Sequence, residues 1–354
     1  MDRERSHPRR AAVLAVDGGG SKADAVLLDR HGSLLGKAHR LGRSDVDMRR
    51  FAIDPLVEVV DAACLDAGLS PNGSAVATVG MYCLAGADFP LDERRIGRML
   101  DRLGRTERTL VRNDTFAVLR AGSERGWGVA VVCGAGLNCL GIGPDGRTVR
   151  FPALGELSGD LAAGGEWVGI RALAAAVRAR DGRGERTALE GLVPHHFGMG
   201  RPETVMNAIY RGRVGSERLM ELAPVVVRAA LSGDAVARNI LNEQAGEVAL
   251  MATATIRRLR LSSTDVDVIL GGGMFQADDP EFLRRVENEI VRVAPSARIA
   301  ILRVPPIVGA ALLGLDELGA PASASSRVRE EIDHATIDHT IGRRSATDRS
   351  SRGL

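Results

Sequence analysis

The sequence predicts an α/β protein built from two related halves, and three observations carry that reading. A strand that runs into a glycine-rich loop and returns as a hairpin occurs twice, the loops lying about 116 positions apart at Gly18 and Gly134. Stretches of helical periodicity separate the strands. A chain of 354 residues also exceeds what one hydrophobic core usually serves.

In chain order, the apolar run Ala11 to Val16 ends in Asp17-Gly18-Gly19-Gly20-Ser21-Lys22, a buried strand delivering its carboxyl end into a tight loop. Ala25 to Leu28 is a second strand, His31-Gly32 a turn and Leu34-Leu35 the start of a third, so the loop joins strand to strand. Gly18-x-Gly20-x-x-Ala23 therefore matches the dinucleotide fingerprint in spelling only, because that motif needs a helix N-terminus directly after its glycines. The P-loop is absent too: Lys22 follows Ser21, and Lys37 precedes Ala38. Helices are expected at Phe51 to Ala67 and Leu91 to Leu103. A strand follows at Leu110 to Arg112, and Asn113-Asp114-Thr115 opens a helix over Phe116 to Ala121.

The pattern restarts with a strand at Gly128 to Cys133, a small-residue loop at Gly134-Ala135-Gly136-Leu137-Asn138, and a hairpin of Cys139 to Ile142 and Thr148 to Phe151 around Pro144-Asp145-Gly146-Arg147. Trp167, Ile170, Ala174 and Val177 predict the buried face of a helix that Asp181-Gly182-Arg183-Gly184 ends. Val248, Met251, Thr255 and Leu259 stripe another. A third glycine cluster, Gly271-Gly272-Gly273, follows the strand Val266 to Leu270 and precedes a helix over Pro280 to Val293 capped by Asp279. The expected division is a flexible start (1–10), two domains (11–118 and 119–319) and an Ala/Ser/Arg-rich unstructured tail (320–354).

Composition narrows the function. Lys+Arg 47 against Asp+Glu 45 leaves a net charge of +2, too little to track a nucleic-acid backbone. Cys64, Cys83, Cys133 and Cys139 make no C-x-x-C pair, as expected of reduced thiols in the cytoplasm. His195 and His196 lack further ligands nearby, so zinc is not expected. The basic start from Met1 to Arg10 precedes too few apolar residues for a signal-peptide core, and no run approaches the roughly 20 residues of a membrane span. Lys22 and Lys37 are the only lysines, which draws attention to the one beside a glycine cluster.

Three acids could carry chemistry. Asp17 is either a turn aspartate or a carboxylate that holds Mg²⁺ through water beside amides able to approach a polyphosphate. Asp114 is either a helix cap or a general base for a hydroxyl attacking a γ-phosphate. Asp160, in Ser158-Gly159-Asp160, is a cap or a hydroxyl acceptor.

Together, VDGGGSK (Val16 to Lys22), Asn113-Asp114, GAGLNC (Gly134 to Cys139), Ser158-Gly159-Asp160, Gly271 to Gly273 and Gly309-Ala310-Ala311-Leu312-Leu313-Gly314 resemble the actin/hexokinase/Hsp70-type ATPase superfamily, and within it the BadF/BadG/BcrA/BcrD ATPase family, over roughly residues 11 to 318. The resemblance implies two ribonuclease-H-like domains facing across a nucleotide cleft, with ATP and Mg²⁺ as cofactors. It puts Asp17 near the metal. Gly18, Gly19, Gly20, Ser21, Lys22, Gly134, Ala135, Gly136 and Leu137 would meet the phosphates, and Gly271, Gly272 and Gly273 the adenosine. Asp114 would be the catalytic base, and Asn113, Asn138, Cys139 and Asp160 would approach a sugar. The implied activity is phosphorylation of a hydroxyl of N-acetylglucosamine, glucosamine or a related sugar in the cytoplasm. A homodimer is compatible with it, and no nucleic-acid or membrane partner is expected. Three departures bear on sugar identity: Ala135 stands where the pattern has threonine, Phe151 to Gly155 lacks a glycine-tryptophan, and Gly42 to Asp47 lacks an asparagine. Two alternatives share the fold: an ATPase activating a radical dehydratase through an iron-sulfur cluster, and a sugar sensor without turnover. The first needs paired cysteine ligands, which the sequence does not offer.

Overall fold

A computed structural model describes residues 10–20, 22–42, 53–71 and 74–333. Compactness divides the chain into one unit of residues 1–117 and 304–354 and a second of residues 118–303.

The first unit opens with β1 (Ala11–Gly18), β2 (Lys22–Leu28) and β3 (Leu34–Leu41). It continues through α1 (Asp54–Asp66), β4 (Ala77–Leu84), α2 (Pro90–Asp101), β5 (Thr106–Asn113) and the start of α3 (Asp114–Gly122). The strand order is β3-β2-β1-β4-β5. The β1–β2 and β2–β3 pairs are antiparallel, and β4 and β5 run parallel to β1. Seven of the eight residues of β1, including Val13, Leu14 and Val16, are buried, as a central strand covered on both faces requires. Register sets Asp17 opposite Asp24 of β2 and level with Cys83 of β4, which is itself level with Arg112 of β5.

The second unit repeats this plan. It holds β6 (Gly128–Cys133), β7 (Leu137–Ile142), β8 (Thr148–Arg150), α4 (Gly165–Asp181), α5 (Leu189–His196), α6 (Pro202–Tyr210), α7 (Ala223–Leu231), α8 (Ala235–Arg258), β9 (Asp267–Gly271), α9 (Pro280–Val293) and β10 (Arg298–Ile301). Its order, β10-β9-β6-β7-β8, has the same antiparallel triplet and parallel pair about a central strand. The duplicated hairpin signal in the sequence thus marks a duplicated sheet, and each central strand ends in a glycine loop.

Two helices complete the first unit: α10 (Ile307–Glu317) and α11 (Ala322–Glu331). Ile307, Val308, Ala311 and Leu312 of α10 share a buried cluster with Val13, Ala15 and Met81 of the first sheet. The sequence division at 319 places α10 with the second half, whereas its packing sets it in the first. The unstructured tail expected from 320 gives way to α11 as far as Glu331, because Ala324, Val328 and the following Ile332 are buried in that same cluster. The remainder of the tail, like residues 1–9 and 43–52, lies outside the described residues.

Small residues set the closest approaches. A Cβ at Gly309 would stand 1.8 Å from the carbonyl oxygen of Ala117, so α10 reaches that backbone only because position 309 carries no side chain. We expect Gly309→Ala to cost about 1–3 kcal/mol, read as a lowered denaturation midpoint with an unchanged slope. α4 shows the same device: Gly165, Val168, Gly169, Ala172 and Ala176 face inward, and a Cβ at Gly169 would lie 1.9 Å from Leu219 O. The Trp167, Ile170, Ala174 and Val177 face predicted to be buried is therefore not the inner one. Ile170 is 54% exposed. The stripe on α8 is buried at Val248, Met251, Thr255 and Leu259, as its spacing predicts, and Asp279 caps α9 by accepting from Glu281 and Phe282 N–H.

Candidate active site

In the first unit the carboxyl ends of β1, β4 and β5 lie side by side, and the acids sit there. One intervening strand separates β1 from β5, which puts their ends about 10 Å apart. Asp17 is buried on β1, and Asp114 is the first residue of α3. Burial pushes the Asp17 carboxyl up to about 8, and the charges of Asp24 and Asp114 add to that, Lys22 opposing. The two acids thus share one electrostatic neighbourhood.

Asp114 is not the helix cap. Asn113 does that work: its Oδ1 accepts from Thr115 N–H at 3.1 Å and from the Thr115 hydroxyl at 2.6 Å, while its Nδ2 donates to Asp88 at 3.2 Å. Asn113 is 1% exposed, and these bonds give it a structural duty that fixes the start of α3 and with it Asp114. The glycine loop is closed by Gly19 N–H donating to Lys22 O and anchored by Ala85 N–H donating to Gly18 O. Ser21 lies outside the described residues.

Sequence reasoning missed two partners of this loop. Asp24 is fully buried and meets Lys22 Nζ at 3.0 Å and His39 Nδ1 at 2.5 Å. Asp17, Asp24 and His39 are consecutive cross-strand neighbours on β1, β2 and β3. The signal available was a lone aspartate inside the apolar run Ala23 to Leu28, a position at which charge is rarely buried without a partner. Lys22 is thereby held at the loop by a buried carboxylate whose other oxygen meets His39.

Mg²⁺ fits this arrangement. Among the described residues no three His, Cys, Asp or Glu side chains form a metal cage, His195 and His196 included. Mg²⁺ does not need one, since it keeps several waters and takes one or two carboxylates besides substrate phosphates. A buried acid held up near 8 by burial and like charges, with the adjacent ammonium engaged elsewhere, is what a divalent cation would relieve.

In the second unit Gly134-Ala135-Gly136 links β6 to β7. Gly165 N–H donates to Gly134 O at 2.8 Å and Glu166 N–H to Ala135 O at 2.9 Å. In a trans peptide the carbonyl and the following N–H point opposite ways. Drawing these two carbonyls toward α4 therefore turns the Ala135 and Gly136 N–H groups away from it, as an anion-binding loop must. A Cβ on Gly164 (φ +84°) would stand 2.3 Å from Gly136 O, and one on Gly272 (φ +101°) 2.4 Å from Cys133 O. The Gly271 to Gly273 cluster thus abuts the base of the loop.

Residues 14–314 match the profile of the BadF/BadG/BcrA/BcrD ATPase family. The chain belongs to that family. It is 31% identical over 264 residues to the N-acetylmuramic acid/N-acetylglucosamine kinase of Clostridium acetobutylicum, covering 74% of this chain and 85% of that one. Against the N-acetyl-D-glucosamine kinase of Dictyostelium discoideum it is 25% identical over 317 residues, 86% and 97% of the two chains. A crystal structure from Chromobacterium violaceum assigned as an N-acetylglucosamine kinase superposes with a TM-score of 0.66 at 26% identity, covering 87% of this chain and all of that one. The two units of this BadF/BadG-type chain are accordingly ribonuclease-H-like domains of the actin-like ATPases.

Within this family member the residues expected to approach a sugar separate into two groups. Asp160 is buried and accepts from the Ser158 hydroxyl at 2.7 Å, and burial raises its carboxyl against that bond. It does not cap α4, where Gly164 holds the cap position. Asn138 lies on β7 with its Oδ1 taking the N–H of Cys139. Cys139 is not a sugar contact: it points to the opposite face, inside the core, with its Sγ 3.3 Å from Thr255 Oγ1. All four thiols are buried. Burial pushes Cys64 up to about 11, Cys133 and Cys139 up to about 12, and Cys83 well above its ordinary value. Thiols so protonated and enclosed do not suit a cluster shared between subunits. Among the described residues no helix is long and apolar enough to cross a membrane.

Proposed function

We propose that the protein is an ATP-dependent kinase that phosphorylates a hydroxyl of an N-acetylated amino sugar, N-acetylglucosamine or a near relative. The observation that carries this reading is the pair of acids at the carboxyl end of one sheet, Asp17 for the metal side and Asp114, held by its Asn113 cap, for the acceptor hydroxyl. Family membership and the kinases named among its relatives point the same way.

In this reading Gly18 to Lys22 and Gly134 to Leu137 hold the nucleotide phosphates, Gly271 to Gly273 lie by the adenosine, and Asp160 and Asn138 receive the sugar. Asp17 would hold Mg²⁺, which when bound would neutralise charge on the nucleotide phosphates. Asp114 accepts the proton of the attacking hydroxyl, and Lys22 supplies a fixed positive charge whose direction Asp24 and His39 set. Positioning does most of the work, because phosphoryl transfer asks little covalent chemistry of the protein.

A coupled ADP-release assay over N-acetylglucosamine, N-acetylmuramic acid, glucosamine and glucose tests the proposal. An N-acetylated sugar is expected to give the highest kcat/KM. If no sugar raises ADP release above that with ATP alone, the kinase assignment is wrong.

A further inference from the structure

α8 reaches the segment that precedes α4 with two side chains one turn apart. Gln244 is fully buried, and its Oε1 accepts from Gly164 N–H at 2.8 Å. Glu247, also buried, accepts from the backbone N–H of Leu161, next to Asp160, whose charge it feels. Gly164 is in turn the residue pressed against Gly136, and the next two amides hold Gly134 and Ala135. A continuous path of bonded groups therefore runs from Gln244 through the first turn of α4 to the loop whose N–H groups face away from that helix. Gln244 has a second peculiarity: its Nε2 is buried and has no hydrogen-bond partner among the described residues. An unpaired buried donor costs about 1–3 kcal/mol, which offsets what the bond to the buried Gly164 N–H returns, so glutamine brings little net stability over methionine here.

We propose that Gln244 is a positioning residue for nucleotide binding: through Gly164 it fixes the start of α4, and thereby the shape of the phosphate loop Gly134 to Leu137. Glu247 acts likewise on the Asp160 side, so one turn of α8 serves the acceptor loop and the phosphate loop together. This rests on reading Gly134 to Leu137 as a phosphate loop.

The test is equilibrium binding of a non-hydrolysable ATP analogue with Mg²⁺, alongside thermal melts, for the unaltered chain, Gln244→Met and Gln244→Glu. Gln244→Met is expected to weaken the analogue Kd by about tenfold or more, the scale of a displaced binding group, while the melting temperature stays within a few degrees. Gln244→Glu keeps an oxygen for Gly164 N–H and should recover most of the lost affinity. Wild-type affinity in Gln244→Met overturns the proposal. So does a loss that follows melting temperature and is not restored by glutamate, since that marks a merely structural role. If the unaltered chain fails to bind the analogue, the nucleotide reading falls and takes the proposal with it. If it binds the analogue yet phosphorylates no sugar, only the sugar assignment falls, and the Gln244 comparison still decides.

Discussion

Asp114→Asn is expected to lower kcat by about 100- to 10,000-fold, the range for removing a general base that also aligns its nucleophile, while leaving the affinity for a non-hydrolysable ATP analogue within about twofold. The substitution preserves size and the start of α3, because the cap bonds to Thr115 come from Asn113 and not from Asp114. Structural loss is thus separated from chemical loss. Single-turnover phosphorylation with circular dichroism as a control measures both. Full turnover in the variant would remove Asp114 from the mechanism and leave Asp160 as the acid next to be tested.

The parts of this site that were legible in the sequence are those written as local pattern. A strand ending in glycines and returning as a hairpin needs only neighbouring residues, so both β1 to β3 and β6 to β8 could be read before any tertiary contact was known. Asp17 and Asp114 were legible for the same reason, each standing at the carboxyl end of an apolar strand, Asp17 before a glycine loop and Asp114 at the start of α3. What the spelling hid depends on burial and on long-range pairing. Asp24 and His39 stand 15 residues apart and meet only across the β2–β3 ladder. Cys139 follows Asn138 in a motif, yet strand alternation sends it to the core. The inner face of α4 was misassigned because size governed it: a helix pressed against Leu219 must offer glycine and alanine there, whereas hydrophobic spacing favours tryptophan and isoleucine. Gln244 carried no signal at all, since its partner lies 80 positions away.

Asp17→Asn should abolish turnover, by about 1,000-fold or more if the metal loses the carboxylate that holds its water, and at the same time make the ligand-free protein more stable. The sign follows from the carboxyl's rise from its ordinary value of 3.8 to about 8 in the folded chain. Below about pH 4 the group is protonated in both states, and folding is indifferent to it. Between there and pH 8 the folded state holds a proton that the unfolded chain has released, so stability falls as pH rises through this window. Above pH 8 the folded carboxylate is charged, and the penalty stands at its full size. Asparagine is neutral throughout and removes that slope. At pH 7.5 the gain should be about 1–3 kcal/mol, below the ceiling of about 1.4 kcal/mol per unit because a buried asparagine amide carries a desolvation cost of its own. Thermal melts from pH 5 to 9 would show the unaltered chain losing more stability with rising pH than the variant, the other buried carboxyls contributing equally to both. Adding Mg²⁺ with the ATP analogue should reverse the order, because the cation stabilises the ionised carboxylate and finds no such partner in the asparagine variant. Parallel pH profiles for the two proteins would mean that Asp17 is ionised and satisfied without any cation, and that the metal's place must be sought elsewhere.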